Sequence, residues 1–176
     1  MKERKFKKEL LNLFRTVVIA VIFGLFIQST ITTSAHVISG SMEDTIMTDS
    51  RVMGLRVSYL FCEPERFDII IFQPTEGDQS IPHIKRIIGL PNEEIRIVDG
   101  RVFINGSTVP LDEDFIKGIS QGNFGPFNVP ENSYFVMGDN RNGSSDSRHW
   151  HNRYVPRGNI IGKLYFSYFP IPHLLG

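Results

Sequence analysis

The chain has 176 residues, in which 19 Lys+Arg balance 19 Asp+Glu. That length suits one sizeable domain with its own core, and the even charge removes any global argument for a nucleic-acid partner. A single cysteine, Cys62, excludes an internal disulfide and a cysteine-ligated zinc module.

The charge imbalance is local. The opening MKERKFKK carries five basic residues and one acidic one, immediately before the apolar run Leu10 to Ile27. A spanning helix needs about 20 mostly apolar residues. This run approaches that length when Asn12 and Arg15 lie near the headgroups, with Arg15 snorkelling toward the basic flank. Residues 1–9 then read as a cytoplasmic basic segment, 10–30 as a transmembrane anchor, and 36–176 as a domain on the far side of the plasma membrane. The same residues also fit a cleavable secretory signal, with small Thr33 and Ala35 before a cut after Ala35. A buried core helix is a third reading, opposed by the lack of an amphipathic period.

Beyond residue 36 the pattern is β. The segment VISGSMEDTI (37–46) suits a strand, interrupted by Ser39-Gly40-Ser41. RFDIIIF (66–72) is a short β-branched run between Pro64 and Pro74, and HIKRIIGLP (83–91) is a second. EIRIVDGRVFINGSTV (94–109) alternates around Asp99-Gly100 and Asn105-Gly106, which predicts two tight hairpins. Residues 110–130 are rich in Gly, Asn and Pro without a period and predict an irregular excursion. SYFVMGD and IIGKLYFSYF predict two further strands. The expected fold is mostly β: a coiled antiparallel-sheet domain behind one N-terminal transmembrane helix.

Two readings attach to SGS. It is a turn, since Ser and Gly are ordinary turn residues, or it holds a nucleophile that needs open backbone. In the second reading Gly40 admits substrate backbone and lets the Ser41 N–H face an oxyanion pocket, with Ser39 Oγ as a second donor. The five histidines, His36, His83, His149, His151 and His173, offer no argued triad, and no G-x-S-x-G elbow is present. Lysine is the other base. Lys85 lies among Ile84, Ile87 and Ile88, where burial lowers an ammonium pKa from about 10.4 toward a range in which the free amine accepts a proton. The rival is a surface lysine with its stem along the sheet.

The densest polar stretch is GDNRNGSSDSR (138–148). Calcium-loop spacing would need oxygen ligands where Arg141 and Gly143 stand, so it fails. Asp139, Arg141, Asp146 and Arg148 have the charges to pair into a network that rigidifies the loop. His149 and His151 in HWH offer two imidazoles to a metal, with no evident third ligand.

Taken in order behind an apolar segment, SGSMEDTI, RFDIIIF, HIKRIIGLP and VMGDNRNGSSDSR resemble bacterial type I signal peptidase, from the basic N-terminus to about Lys163. The resemblance implies an all-β serine endopeptidase with a Ser-Lys dyad, and no metal or cofactor. By motif position Ser41 would be the nucleophile and Lys85 the general base. Ser39 and the Ser41 amide would form the oxyanion hole, and Ser144 would orient the lysine. Asp146 and Arg148 would be the supporting pair, Asp139, Asn140 and Arg141 would belong to the same box, and Arg86 would be a structural partner. Val37, Met42, Ile46 and Ile84 would line shallow pockets for small residues at −1 and −3 of secretory preproteins carrying Ala-x-Ala-type signal peptides.

The resemblance also implies that the helix is retained in the lipid bilayer, and the short length is similar to that of the compact enzymes of Gram-positive bacteria. The other classes consistent with the residues are a non-catalytic relative that binds signal peptides and a Ser-Lys peptidase dedicated to one substrate. Three departures stand out: Asp44 where the family usually has proline, Ile38 before SGSM, and His83 two before the lysine. A carboxylate at 44 close to Lys85 would raise the lysine pKa and oppose its role as a base.

Overall fold

The computed structural model describes residues 2–118 and 120–175. Helix α1 (Lys2–Thr30) carries the apolar run, and its 26 residues Lys5–Thr30 are long and apolar enough to cross a bilayer. At 1.5 Å per residue the helix extends about 43 Å. Its side chains from Lys5 to Phe26 are exposed, so no protein core accounts for their apolarity.

Eleven strands follow among the described residues: β1 (Thr32–His36), β2 (Arg51–Leu55), β3 (Ile69–Phe72), β4 (His83–Gly89), β5 (Glu94–Val98), β6 (Arg101–Ile104), β7 (Phe124–Asn128), β8 (Ser133–Met137), β9 (Tyr154–Pro156), β10 (Ile160–Phe169) and β11 (His173–Leu174). All pairings are antiparallel. The large sheet runs β1-β2-β10-β3-β4-β8-β9, with β11 on β10, and a small sheet runs β6-β5-β7. Bulges interrupt the pairing of β10 with β2 and β3 and that of β4 with β8. Such insertions bend a strand and increase its twist. The class is mostly β with one N-terminal apolar helix, as expected.

Strand β3 shows why its sequence does not alternate. Ile69 and Ile71 enter one core with Met42 and Val52, whereas Ile70 and Phe72 enter another with Ile87 and Val136. Both faces are covered, so every position is apolar. A third core of Ile88, Ile95, Ile97, Phe135 and Met137 joins the small sheet to β4 and β8. Each such side chain contributes about 1.5–3 kcal/mol by leaving water.

Several expectations need correction. Residues 37–46 form no strand; Gly40–Met42 is a 3-10 turn that brings Met42 and Ile46 into the core. Asp99 and Gly100 both have positive φ and close the β5–β6 hairpin. Asn105 and Gly106 also have positive φ, but no strand follows them. The amide of Leu111 instead bonds Val102 O, so the chain leaves the sheet after the turn. The excursion 110–130 is not wholly irregular, for it holds β7. That strand is an edge of the small sheet, where Pro126 removes no needed donor. Strand β2 eludes the pattern because Gly54 interrupts it; a Cβ there would strike the backbone of Lys163 on β10.

Candidate active site

Met42 and Ile46 are 1% and 0% exposed, and their burial seats the Gly40–Met42 turn on the sheet. Val37 is tied behind it by bonds between Val37 and the Asp49–Ser50 backbone. Ser41 therefore sits at the surface of the core, 9% exposed. Strand β4 brings Lys85, opposite Ile70 on β3, to the same place. Lys85 is 5% exposed, and its Nζ donates to Ser41 Oγ at 2.7 Å. Ser39 Oγ lies 3.3 Å from Ser41 Oγ.

Burial lowers the Lys85 pKa to about 8, against the opposing pull of Asp146 and then Asp139, with Arg148 lowering it further. Asp44 is exposed and is not among these charges, so the effect expected of a carboxylate at that position does not arise. His83, on the same strand, is half-buried against Phe72 and Trp150. Burial and then the Lys85 charge lower its pKa as well.

Arg86 forks onto Asp139, with Nε–Oδ1 at 2.9 Å and Nη2–Oδ2 at 2.6 Å, and donates to Phe67 O. Its guanidinium lies 4.0 Å from the Phe115 ring centre. Thr45 Oγ1 donates to the same Asp139 carboxylate at 2.6 Å, which ties the segment after Ser41 to the 138–148 loop. Within that loop Arg148 grips Asp146 through Nε and Nη2 at 2.8 Å each, and Gly138 N–H donates to Asp146 at 3.0 Å. Burial pushes the Asp146 carboxyl up, but Arg148 and the Gly138 amide hold it below the usual carboxylate range. The loop network is thus partly external: Asp139 pairs with Arg86, and Arg141 with Glu113 from the excursion.

Ser144 is buried beside Gly138, and its hydroxyl helps hold the Asp146 carboxyl below the usual range, although its Oγ meets no described partner in full hydrogen-bond geometry. The orienting bond to Lys85 that the resemblance implies is not made here. A cleft of about 820 Å³ opens beside the serine, bordered by Ser39, Gly40, Ser41, Lys85, Gly143 and Ser145. Val37, Met42 and Ile84 line it together with Ala35, Ile71 and Ile161. Ile46 does not; it is fully buried in the core shared with Met42, because the turn points it inward. Another cavity, about 660 Å³ beside the β5–β6 turn, is bordered by Asp99, Glu113, Ser120 and Arg141. His149 and His151 are exposed, and no group of three or more His, Cys, Asp or Glu among the described residues is placed to hold a metal.

Sequence reasoning missed the contacts that couple distant segments: Thr45 with Asp139, Glu113 with Arg141, Phe115 with Arg86, and Asn140 with Gly40. Only the polarity of 138–148 signalled them, since a charge pair across 28 or more positions leaves no local pattern.

A hydroxyl beside a buried amine whose pKa is lowered to about 8, at the edge of an apolar cleft, is the equipment of an acyl-transfer hydrolase. Residues 10–169 match the model of the family described as signal peptidase, peptidase S26, and the chain belongs to that family. It is 37% identical to a probable signal peptidase I-2 of Synechocystis sp., over 93% of this chain and 75% of that one. It is 40% identical to a signal peptidase I of Leptolyngbya laminosa, over 91% of this chain and 80% of that one. A crystal structure of a signal peptidase I from Enterococcus faecalis V583 superposes with a TM-score of 0.48 at 34% identity, covering 58% of this chain and 97% of that one. Membership makes the chain a serine endopeptidase, a hydrolase of the signal-peptide-removing kind.

Proposed function

We propose that the chain is a membrane-anchored signal peptidase that cuts secretory preproteins after small residues at −1 and −3 through a Ser41–Lys85 dyad. The observation that carries the reading is the 2.7 Å approach of Lys85 Nζ to Ser41 Oγ, with the lysine 5% exposed. In the reacting state the free amine accepts the hydroxyl proton while Oγ attacks the scissile carbonyl. The oxyanion draws on the Ser41 N–H and Ser39 Oγ. Lys85 then returns the proton to the leaving amine, and an ester on Ser41 remains. A water that gives its proton to Lys85 attacks that ester and frees the signal peptide's carboxylate, regenerating Ser41.

Val37, Met42 and Ile84 give the cleft apolar walls suited to Ala at −1 and −3. One methylene discriminates by only about 1–3 kcal/mol, so steric exclusion of larger side chains does most of the sorting. Helix α1 is the anchor. Its lysine-rich end faces the cytoplasm by the positive-inside tendency, which leaves the β domain outside. Retention of the helix is supported by β1: Ala35 is paired with Val52, so a cut after it would sever an edge strand of the main sheet.

The test is cleavage of a preprotein bearing Ala-x-Ala by wild type, Ser41→Ala and Lys85→Ala. Each variant is expected to lose activity by about 10³-fold or more. Undiminished cleavage by either one overturns the dyad. Binding of signal peptides by wild type without turnover on any preprotein would favour a non-catalytic relative. Accumulation of a single precursor on depletion would favour a dedicated enzyme.

A further inference from the structure

Asn140 contacts the backbone on both sides of Ser41. Its side-chain Nδ2 donates to Gly40 O at 2.9 Å, and its own backbone N–H donates to Ser41 O at 3.2 Å. The amide orientation is determined by its other end, because Asn140 Oδ1 accepts from Gly143 N–H at 3.1 Å. Flipping the side chain would set oxygen against the Gly40 carbonyl and NH₂ against the Gly143 N–H, two repulsions in place of two bonds.

A trans peptide is planar, with its C=O and N–H pointing in opposite directions. Gly40 C=O and Ser41 N–H belong to one such unit. Holding the carbonyl therefore directs the Ser41 N–H away from Asn140. The 3-10 turn alone does not achieve this, since its own bond, Glu43 N–H to Gly40 O at 3.2 Å, closes the turn without orienting it against the rest of the site. Asn140 supplies that reference, 100 positions along the chain. It is next to Asp139, which is locked to Arg86, the neighbour of Lys85.

We propose that Asn140 is a positioning residue that aims the Ser41 N–H at the oxyanion. The assignment rests on the Ser41–Lys85 reading above. Asn140 touches neither Ser41 Oγ nor Lys85 Nζ in hydrogen-bond distance, so it acts through the peptide plane. Gly143 has a part in this as well: a Cβ there would come within 2.7–2.9 Å of the Asn140 side-chain amide and displace it.

The experiment uses full-length enzyme in detergent or liposomes and compares wild type, Asn140→Ala, Gly143→Ala and Ser41→Ala. Asn140→Ala keeps the backbone donor to Ser41 O and deletes only the two side-chain bonds, to Gly40 O and from Gly143 N–H. On a peptide substrate, kcat is expected to fall about 10- to 100-fold with KM within twofold, below the loss typical of deleting an oxyanion donor outright. The pH midpoint of kcat/KM stays at the wild-type value, because Lys85 is untouched. A second readout is a peptide aldehyde ending in alanine. Ser41 Oγ adds to its carbonyl, an O–C bond forms as the C=O π bond breaks, and the hydroxyl proton passes to Lys85, leaving an oxyanion. Affinity for the aldehyde falls by the same factor as kcat/KM. Gly143→Ala, which leaves Asn140 in place but pushes its amide, moves both quantities in the same direction, and serves alone if Asn140→Ala does not fold. Wild-type kcat and aldehyde affinity in the folded variants, a rise in KM alone, or a shifted pH midpoint would each overturn the positioning role. Activity retained by Ser41→Ala would instead remove the dyad reading beneath it.

Discussion

Lys85 is the residue whose environment has the most consequence. Its pKa of about 8 lies below the ordinary 10.5, chiefly through burial. A base works only in its neutral form, so kcat/KM on a peptide is expected to rise through a midpoint near pH 8 and level off above it. A midpoint near 10 would contradict a desolvated base. The stability consequence has the same origin. Between about pH 8 and 10.5 the unfolded chain holds a proton that the folded chain has released, so stability rises with pH across that window and the destabilisation is complete below it. Lys85→Met, which fills the site without a charge, should be inactive but more stable at neutral pH. The gain is on the order of 3 kcal/mol, shrinking toward pH 10.5, and denaturant melts at several pH values would measure it. Asp44 makes a different point. Its φ is 30°, which proline, fixed near −65°, does not reach. Restoring the family's usual residue by Asp44→Pro should therefore lower stability by about 1–3 kcal/mol and reduce activity rather than raise it. Enhanced cleavage would show that the turn adapts.

At the scale of elements, the 138–148 loop acts as the back wall of the serine turn. Gly138 sits where a Cβ would collide with Ser144 Oγ and the Ser41 carbonyl. Gly138→Ala should then lose about 1–3 kcal/mol by overpacking and at least tenfold in kcat/KM, a coupled loss seen in thermal melts and peptide kinetics together. Unchanged melting with lost activity would mean the loop yields without unfolding, and neither change would mean that the packing is loose. The loop itself was legible as a motif, and so were β3 and β4 as apolar runs. A turn at SGS was one of two readings, whereas strand β7 was not legible, because edge pairing depends on what lies opposite. The resemblance did place Ser41 and Lys85 as a pair, and the two meet across the turn and β4. The bond from Ser144 to Lys85 is absent, and Ile46 lies one layer deeper than a pocket wall.

For the molecule as a whole, the proposed anchor α1 adjoins the cleft. The helix ends at Thr30 and β1 begins at Thr32, so the cleft, bordered by residues 33–41, starts directly at the apolar helix's end. Tethering raises the local concentration of a membrane-bound substrate without adding contacts. Removal of residues 1–30 should leave cleavage of a short soluble peptide within a few-fold, while cutting preprotein processing in proteoliposomes at least tenfold. Equal losses on both substrates would assign the helix a structural role instead.

Local pattern alone determined the apolar helix, the β class, the Asp99-Gly100 hairpin and the presence of a lysine among isoleucines. These follow from periodicity and backbone preference, which act over a few neighbouring residues. Folding decided what those residues could do. It brought Ser41 to Lys85 across 44 positions, closed Asp139 on Arg86 across 53, and left exposed Asp44 out of the charges that set the Lys85 pKa. Desolvation and hydrogen bonding between distant segments exist only once the sheets curl together, and with them comes the lowered lysine pKa.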